Sequence, residues 1–142
     1  MKKSAAAVDL FNLAKEAMAM SYSPYSGFPV GAAILSENGK VFSACNVENA
    51  AYPEGICAEA GAISAMVLAG ERRIKDIYVM GNGDALVSPC GGCRQRIREF
   101  ADEHTQVHIC GPEGVRRSLN INELLPLSFG PEHLTPPSNK ES

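Results

Sequence analysis

No stretch of this chain stays apolar for the roughly 20 residues that a membrane-crossing helix needs. An export pattern is missing as well, because Asp9, Asn12 and Lys15 interrupt the alanines that follow Met1-Lys2-Lys3. Basic clusters are also lacking: with 13 Lys and Arg against 16 Asp and Glu, a net charge of −3 and a pI near 5.6, nothing resembles a polynucleotide-binding surface. Arg94, Arg96 and Arg98 alternate around a helix and form no stripe. Repeats, linkers and low-complexity blocks are absent, so 142 residues read as one domain with its own core. Five cysteines is an odd number, and without an export signal it fits reduced thiols and metal binding rather than disulfides. A cytoplasmic location is expected.

What is there alternates between strand and helix. Residues 4–20 place Leu10, Phe11, Ala14, Ala17 and Met18 on one helical face, with Asp9, Asn12, Lys15 and Glu16 opposite. Residues 22–27 read as loop. Strand-like runs at 30–35 and 41–47 flank Asn38-Gly39, a hairpin turn. Residues 57–69 are apolar nearly all round, which predicts a helix buried on several sides and ended by Gly70. Strands are expected at 74–80, 106–110 and 115–119, a helix at 90–103 and a helical turn at 121–125. The polar, proline-bearing residues 135–142 read as a disordered tail. Such alternation predicts an α/β domain over residues 1–134, a mixed sheet with helices on its faces.

The chemistry concentrates in Cys57-Ala58-Glu59 and Pro89-Cys90-Gly91-Gly92-Cys93. Ser88-Pro89 reads as a helix start, serine as cap and proline at the first helical position. Cys90 and Cys93, three apart, then face the same way. Cys57 opens another helix, and two helix N-termini aimed at one metal favour thiolates. A closed structural zinc site wants four protein ligands, whereas a hydrolytic one keeps a position for water. His104, Cys45 and Cys110 are the candidates for a fourth ligand, and none sits at ligand spacing; Cys45 and Cys110 fit core thiols. A redox CxxC leaves Cys57 and Glu59 unexplained. Glu59 either satisfies a helix N-terminus or serves as acid and base beside an activated water.

This paired motif, followed by Arg94-Gln95, resembles the small homotetrameric zinc-dependent cytidine deaminases, from about Phe11 to Leu134. The resemblance implies a three-layer α/β/α fold around a central mixed five-stranded sheet. It implies one zinc ion per chain on Cys57, Cys90 and Cys93, with Glu59 catalytic, and deamination of cytidine and 2′-deoxycytidine. Phe28 matches a family aromatic that packs on the pyrimidine, or is simply a core residue at a strand start. Asn46 and Glu48 match a pair that hydrogen-bonds the ribose, or belong to a solvated loop. Ala58 and Ser88 would offer backbone groups to the base. Tyr52 and Phe129 resemble positions contributed across subunits, or pack in the core. Many family members place Arg after the catalytic glutamate; here Ala60 stands there, so helix dipoles and Arg94 are left to offset the thiolate charge. Two alternatives stay open: deamination of another aminopyrimidine nucleoside such as blasticidin S, and a catalytically silent zinc-stabilised binding domain.

Overall fold

The computed structural model describes residues 9–134. The expected helical residues 4–8 and the tail 135–142 lie outside the described residues. Helix α1 (Leu10–Ala19) starts where the Asp9 carboxylate accepts the Asn12 backbone N–H at 3.1 Å, an N-cap. Strands β1 (Val30–Ser36) and β2 (Val41–Cys45) form the expected hairpin, and Gly39 adopts φ 89° in its turn, a left-handed conformation that suits glycine. Then come α2 (Ala58–Leu68), β3 (Ile74–Gly81), α3 (Gly91–Glu99), β4 (Gln106–Gly111), β5 (Gly114–Asn120) and the short α4 (Ile121–Leu124). The sheet order is β2-β1-β3-β4-β5; β3 and β4 run parallel and every other pair antiparallel. A mixed five-stranded sheet is thus present, and α3 is the crossover of its parallel pair.

Side chains alternate along each strand, so one sheet presents two different faces. Ala33, Leu35, Met80 and Cys110 meet Leu10 and Ala14 of α1 on one side. Ala32, Ile34, Ile77, Val79 and Val107 meet Ala62, Ile63 and Met66 of α2 and Ile97 of α3 on the other. The result is three layers, α/β/α. Burying each Ile, Leu or Met fully is worth about 1.5–3 kcal/mol, so these two clusters are the main stabilising contacts. The approach of α1 is close because β1 offers Gly31 there: a β-carbon at that position would lie 2.5 Å from the Met18 amide nitrogen and closer still to the Ala14 carbonyl oxygen.

Three expectations need correction. Helix α3 starts at Gly91 with Cys90 as its N-cap, not with Ser88 as cap and Pro89 as first residue. The Ser88 hydroxyl is taken by Arg94 Nη2 at 2.7 Å and is not free to cap. The same helix ends at Glu99, not 103, because Asp102 and Thr105 close a turn: the Asp102 N–H donates to Thr105 Oγ1 at 3.0 Å. Within one chain α2 buries one side only, through Ala58, Glu59, Ala62, Ile63 and Met66, while Leu68 stays 90% exposed. Gly70 ends α2 as expected, at φ 92°.

The segment after α4 is tied to α3 by side chains. Arg94 Nη1 donates to the Leu124 carbonyl, Gln95 Nε2 to the Phe129 carbonyl and Arg98 Nε to Ser128 Oγ, at 2.8, 2.8 and 2.7 Å. Arg98 also pairs with Glu132 at 2.6 Å.

Candidate active site

Two helix starts meet at one point. Cys57 is the N-cap of α2, Cys90 the N-cap of α3, and Cys93 lies in the first turn of α3. Their three sulfurs all lie within 4.8 Å of one another, and among the described residues no His, Asp, Glu or further Cys joins that group. Sulfurs about 2.3 Å from a tetrahedral zinc stand about 3.8 Å apart, so a set of three soft donors this close suits zinc and leaves one position open. His104 is largely exposed, Cys45 is half-buried and Cys110 is buried in the α1-side core, so the closed structural site has no fourth ligand here.

Electrostatics sort the three thiols. Burial pushes Cys57 and Cys93 above the ordinary thiol range, and the Glu59 charge adds to both. Cys90 is exposed and goes the other way, because the Cys93 backbone N–H favours its thiolate. Cys93 also receives a charged donor: Arg96 Nη1 reaches its sulfur at 3.3 Å. The expectation that Arg94 offsets thiolate charge is therefore corrected. Arg94 is spent on the Pro89 carbonyl, Ser88 Oγ and the Leu124 carbonyl. Sequence reasoning missed Arg96, although its i+3 spacing from Cys93 on one helix was a usable signal.

Glu59 is only 4% exposed, in the first turn of α2 beside this cluster. Burial raises its carboxyl above the usual range, while its own backbone N–H, Cys93 and Arg96 pull partly back. A cleft of about 190 Å³ opens onto Glu59, Cys57 and Cys90. Phe28, Asn46, Ala58 and Ser88 line it too, with Val79, Gly81, Val87 and Pro89, which sequence reasoning did not single out. Gly81 lets the walls close in, since a β-carbon there would sit 3.2 Å from the Phe28 ring and 3.3 Å from Val87.

Not every expected residue gathers there. Asn46 lines the cleft while its amide spans two segments, Oδ1 accepting from the Val30 N–H at 2.8 Å and Nδ2 donating to the Phe28 carbonyl at 3.0 Å. Glu48 lies in an adjoining groove with Tyr25, Ser26 and Tyr52. Its carboxylate accepts the Tyr25 and Ser26 N–H groups at 2.9 and 3.1 Å and the Ser26 hydroxyl, and these bonds hold its pKa low. Tyr52 is 74% exposed with its ring tilted against Tyr25. Phe129 is away from the cleft, 55% exposed and stacked on His133, so neither aromatic packs in the core of this chain.

Residues 5–109 match the family model of the cytidine and deoxycytidylate deaminase zinc-binding region. A cytidine deaminase of Sporosarcina psychrophila is 40% identical over 121 residues, covering 85% of this chain and 89% of that one. A cytidine deaminase of Halalkalibacterium halodurans is 37% identical over 114 residues, covering 80% and 86%. In the crystal structure of cytidine deaminase from Burkholderia pseudomallei, 39% identical, 96% of that chain superposes on 84% of this one with a TM-score of 0.79. The fold thus has a counterpart in a solved cytidine deaminase structure.

Proposed function

Because the chain belongs to the cytidine and deoxycytidylate deaminase family, we propose that it hydrolyses the 4-amino group of cytidine and 2′-deoxycytidine, releasing uridine or 2′-deoxyuridine and ammonia in pyrimidine salvage. The observation that carries this reading is a buried carboxyl, Glu59, set beside three converging thiols at a cleft that Phe28 lines and no Lys or Arg does. Cys57, Cys90 and Cys93 would hold one zinc ion. Zinc held this way supplies a Lewis acid that lowers the pKa of a coordinated water towards about 7. Glu59 takes a proton from water and delivers it to the ring nitrogen N3 as C4 is attacked. It then takes the proton of the new C4 hydroxyl and gives it to the amine as the C4–N bond breaks, so one carboxyl serves first as base and then as acid. Its burial suits this, since a raised carboxyl gives and takes protons more readily near neutral pH.

Phe28 packs on the pyrimidine, and the backbone at Ala58 and Ser88 contacts its amide edge. Asn46 faces the ribose, and Glu48, with three of about four lone-pair sites already taken, shapes the sugar end through residues 25–26. No Lys or Arg lines the cleft, so a 5′-phosphate with about two negative charges finds no partner there. Free cytosine leaves the ribose contacts unmade. The test is kcat/KM for ammonia release from cytidine, deoxycytidine, CMP, cytosine and blasticidin S. Both nucleosides are expected to lead; CMP equal to or above cytidine rejects the ribose assignment, blasticidin S in the lead favours the alternative substrate, and no release from any of them leaves a silent binding domain.

The working form is a homotetramer in the cytoplasm. Supporting the assembly, Tyr22, Val47 and Ile56 are joined by isolated β-bridges and all exposed, and Tyr52, Leu68 and Phe129 are exposed too, apolar surface that a neighbouring copy could cover. Among the described residues no helix is long and apolar enough to cross a membrane. Mass measurement at micromolar concentration is expected to give four chains; an active monomer contradicts the assembly and any role for Tyr52 and Phe129 across subunits.

A further inference from the structure

Four acidic groups converge at the zinc-site cluster: the Cys57, Cys90 and Cys93 sulfurs lie within 4.8 Å of one another, and buried Glu59 stands in the first turn of α2 beside them. Three thiolates on a divalent ion already sum to −1, and Glu59 adds its own charge. The start of α2 offers no cation to balance this, because Ala60 and Gly61 follow Glu59. We propose that Arg96 is the positioning residue that fixes the Cys93 thiolate for the metal and offsets the cluster's charge from α3. This rests on the zinc reading above and deepens it.

The geometry is specific. Among the described residues, Arg96 is the cationic side chain that donates to one of the three sulfurs. The Arg96 guanidinium folds back over the first turn of α3, with Nη1 3.4 Å from where a β-carbon on Gly92, one turn earlier, would stand. Arg96 lines a groove together with Ala60, Ile63, Glu99 and Phe100, which places it beside the stretch of α2 that carries no cation. A charge-assisted bond to sulfur orients the ligand and draws off some of its negative charge. Arg96 itself is exposed, so its effect is partly screened by salt and depends on salt concentration.

The test measures zinc release from the zinc-loaded full chain to a colorimetric chelator, 4-(2-pyridylazo)resorcinol. Arg96→Gln keeps a polar side chain, shorter and without charge, and Arg96→Lys keeps charge. Both changes are at an exposed position, and far-UV circular dichroism checks the fold. Partners of metal ligands are typically worth 10–100-fold in metal affinity or activity, so Arg96→Gln is expected to release zinc about 10-fold faster. Arg96→Lys should restore most of the retention, and the difference should shrink at high salt. Release from Arg96→Gln at the wild-type rate overturns the inference, as does equal loss in both variants or insensitivity to salt. Wild-type protein that takes up no zinc overturns the zinc reading, and this inference with it.

Discussion

Glu59→Gln is expected to keep its fold and its zinc and to lose nearly all turnover. The amide fills the same buried volume, 4% exposed in the wild type, so the first turn of α2 stays packed. What disappears is a group that can both accept and give a proton. General acid–base catalysis by one group is worth roughly 10²–10⁴-fold. Glu59 acts twice per cycle, on the way in as base and on the way out as acid, so the loss should lie at the top of that range or beyond. The measurement is kcat for cytidine in protein whose zinc content and circular dichroism match the wild type. Turnover within a few-fold of wild type would remove Glu59 from the mechanism.

The second large effect is on stability. Gly31→Ala places a methyl group where the Ala14 carbonyl and Met18 amide of α1 already stand. Both are backbone atoms, which no rotamer change can move aside. Ordinary overpacking costs about 1–3 kcal/mol; here the cost should reach the upper end or exceed it, because α1 must lift from Ala33, Leu35 and Met80. For a domain of this size that is a fall in melting temperature of roughly 10 °C or more. The active-site helices lie on the opposite face, so zinc-loaded protein that survives should keep its KM for cytidine. An unchanged melting temperature contradicts the close approach of α1 to β1.

Local signals made most of the fold legible. Asn38-Gly39 announced the hairpin, Gly70 the end of α2, and the Cys57/Cys90/Cys93 spacing brought three sulfurs to one place. What stayed hidden depends on contacts between distant residues. Ser88 looked like a cap until Arg94, six residues on, claimed its hydroxyl. Glu48 looked like a free ribose acceptor, but the N–H groups of Tyr25 and Ser26 reach it across the loop. Arg94 and Arg96 were indistinguishable as charges; the Leu124 carbonyl, which only the fold brings near, takes one and leaves the other for Cys93. Helix 57–69 read as buried on several sides because its apolar residues run nearly all round; packing alone decides that Ala62, Ile63 and Met66 turn inward while Leu68 stays exposed.

The ties from Arg94, Gln95 and Arg98 to residues 124–132 bear on how the chain can be handled. Those three side chains belong to the helix that carries Cys93, and each gives up solvent to hold part of the C-terminal segment. A protease nick near Ser128, or a bulky fusion that pries the segment away, would strand three cationic or amide side chains at once. Arg94 would lose the Leu124 tie and keep only its bonds to Ser88 and Pro89. Damage to residues 124–132 is therefore expected to register at the metal cluster, through the helix that carries Cys93.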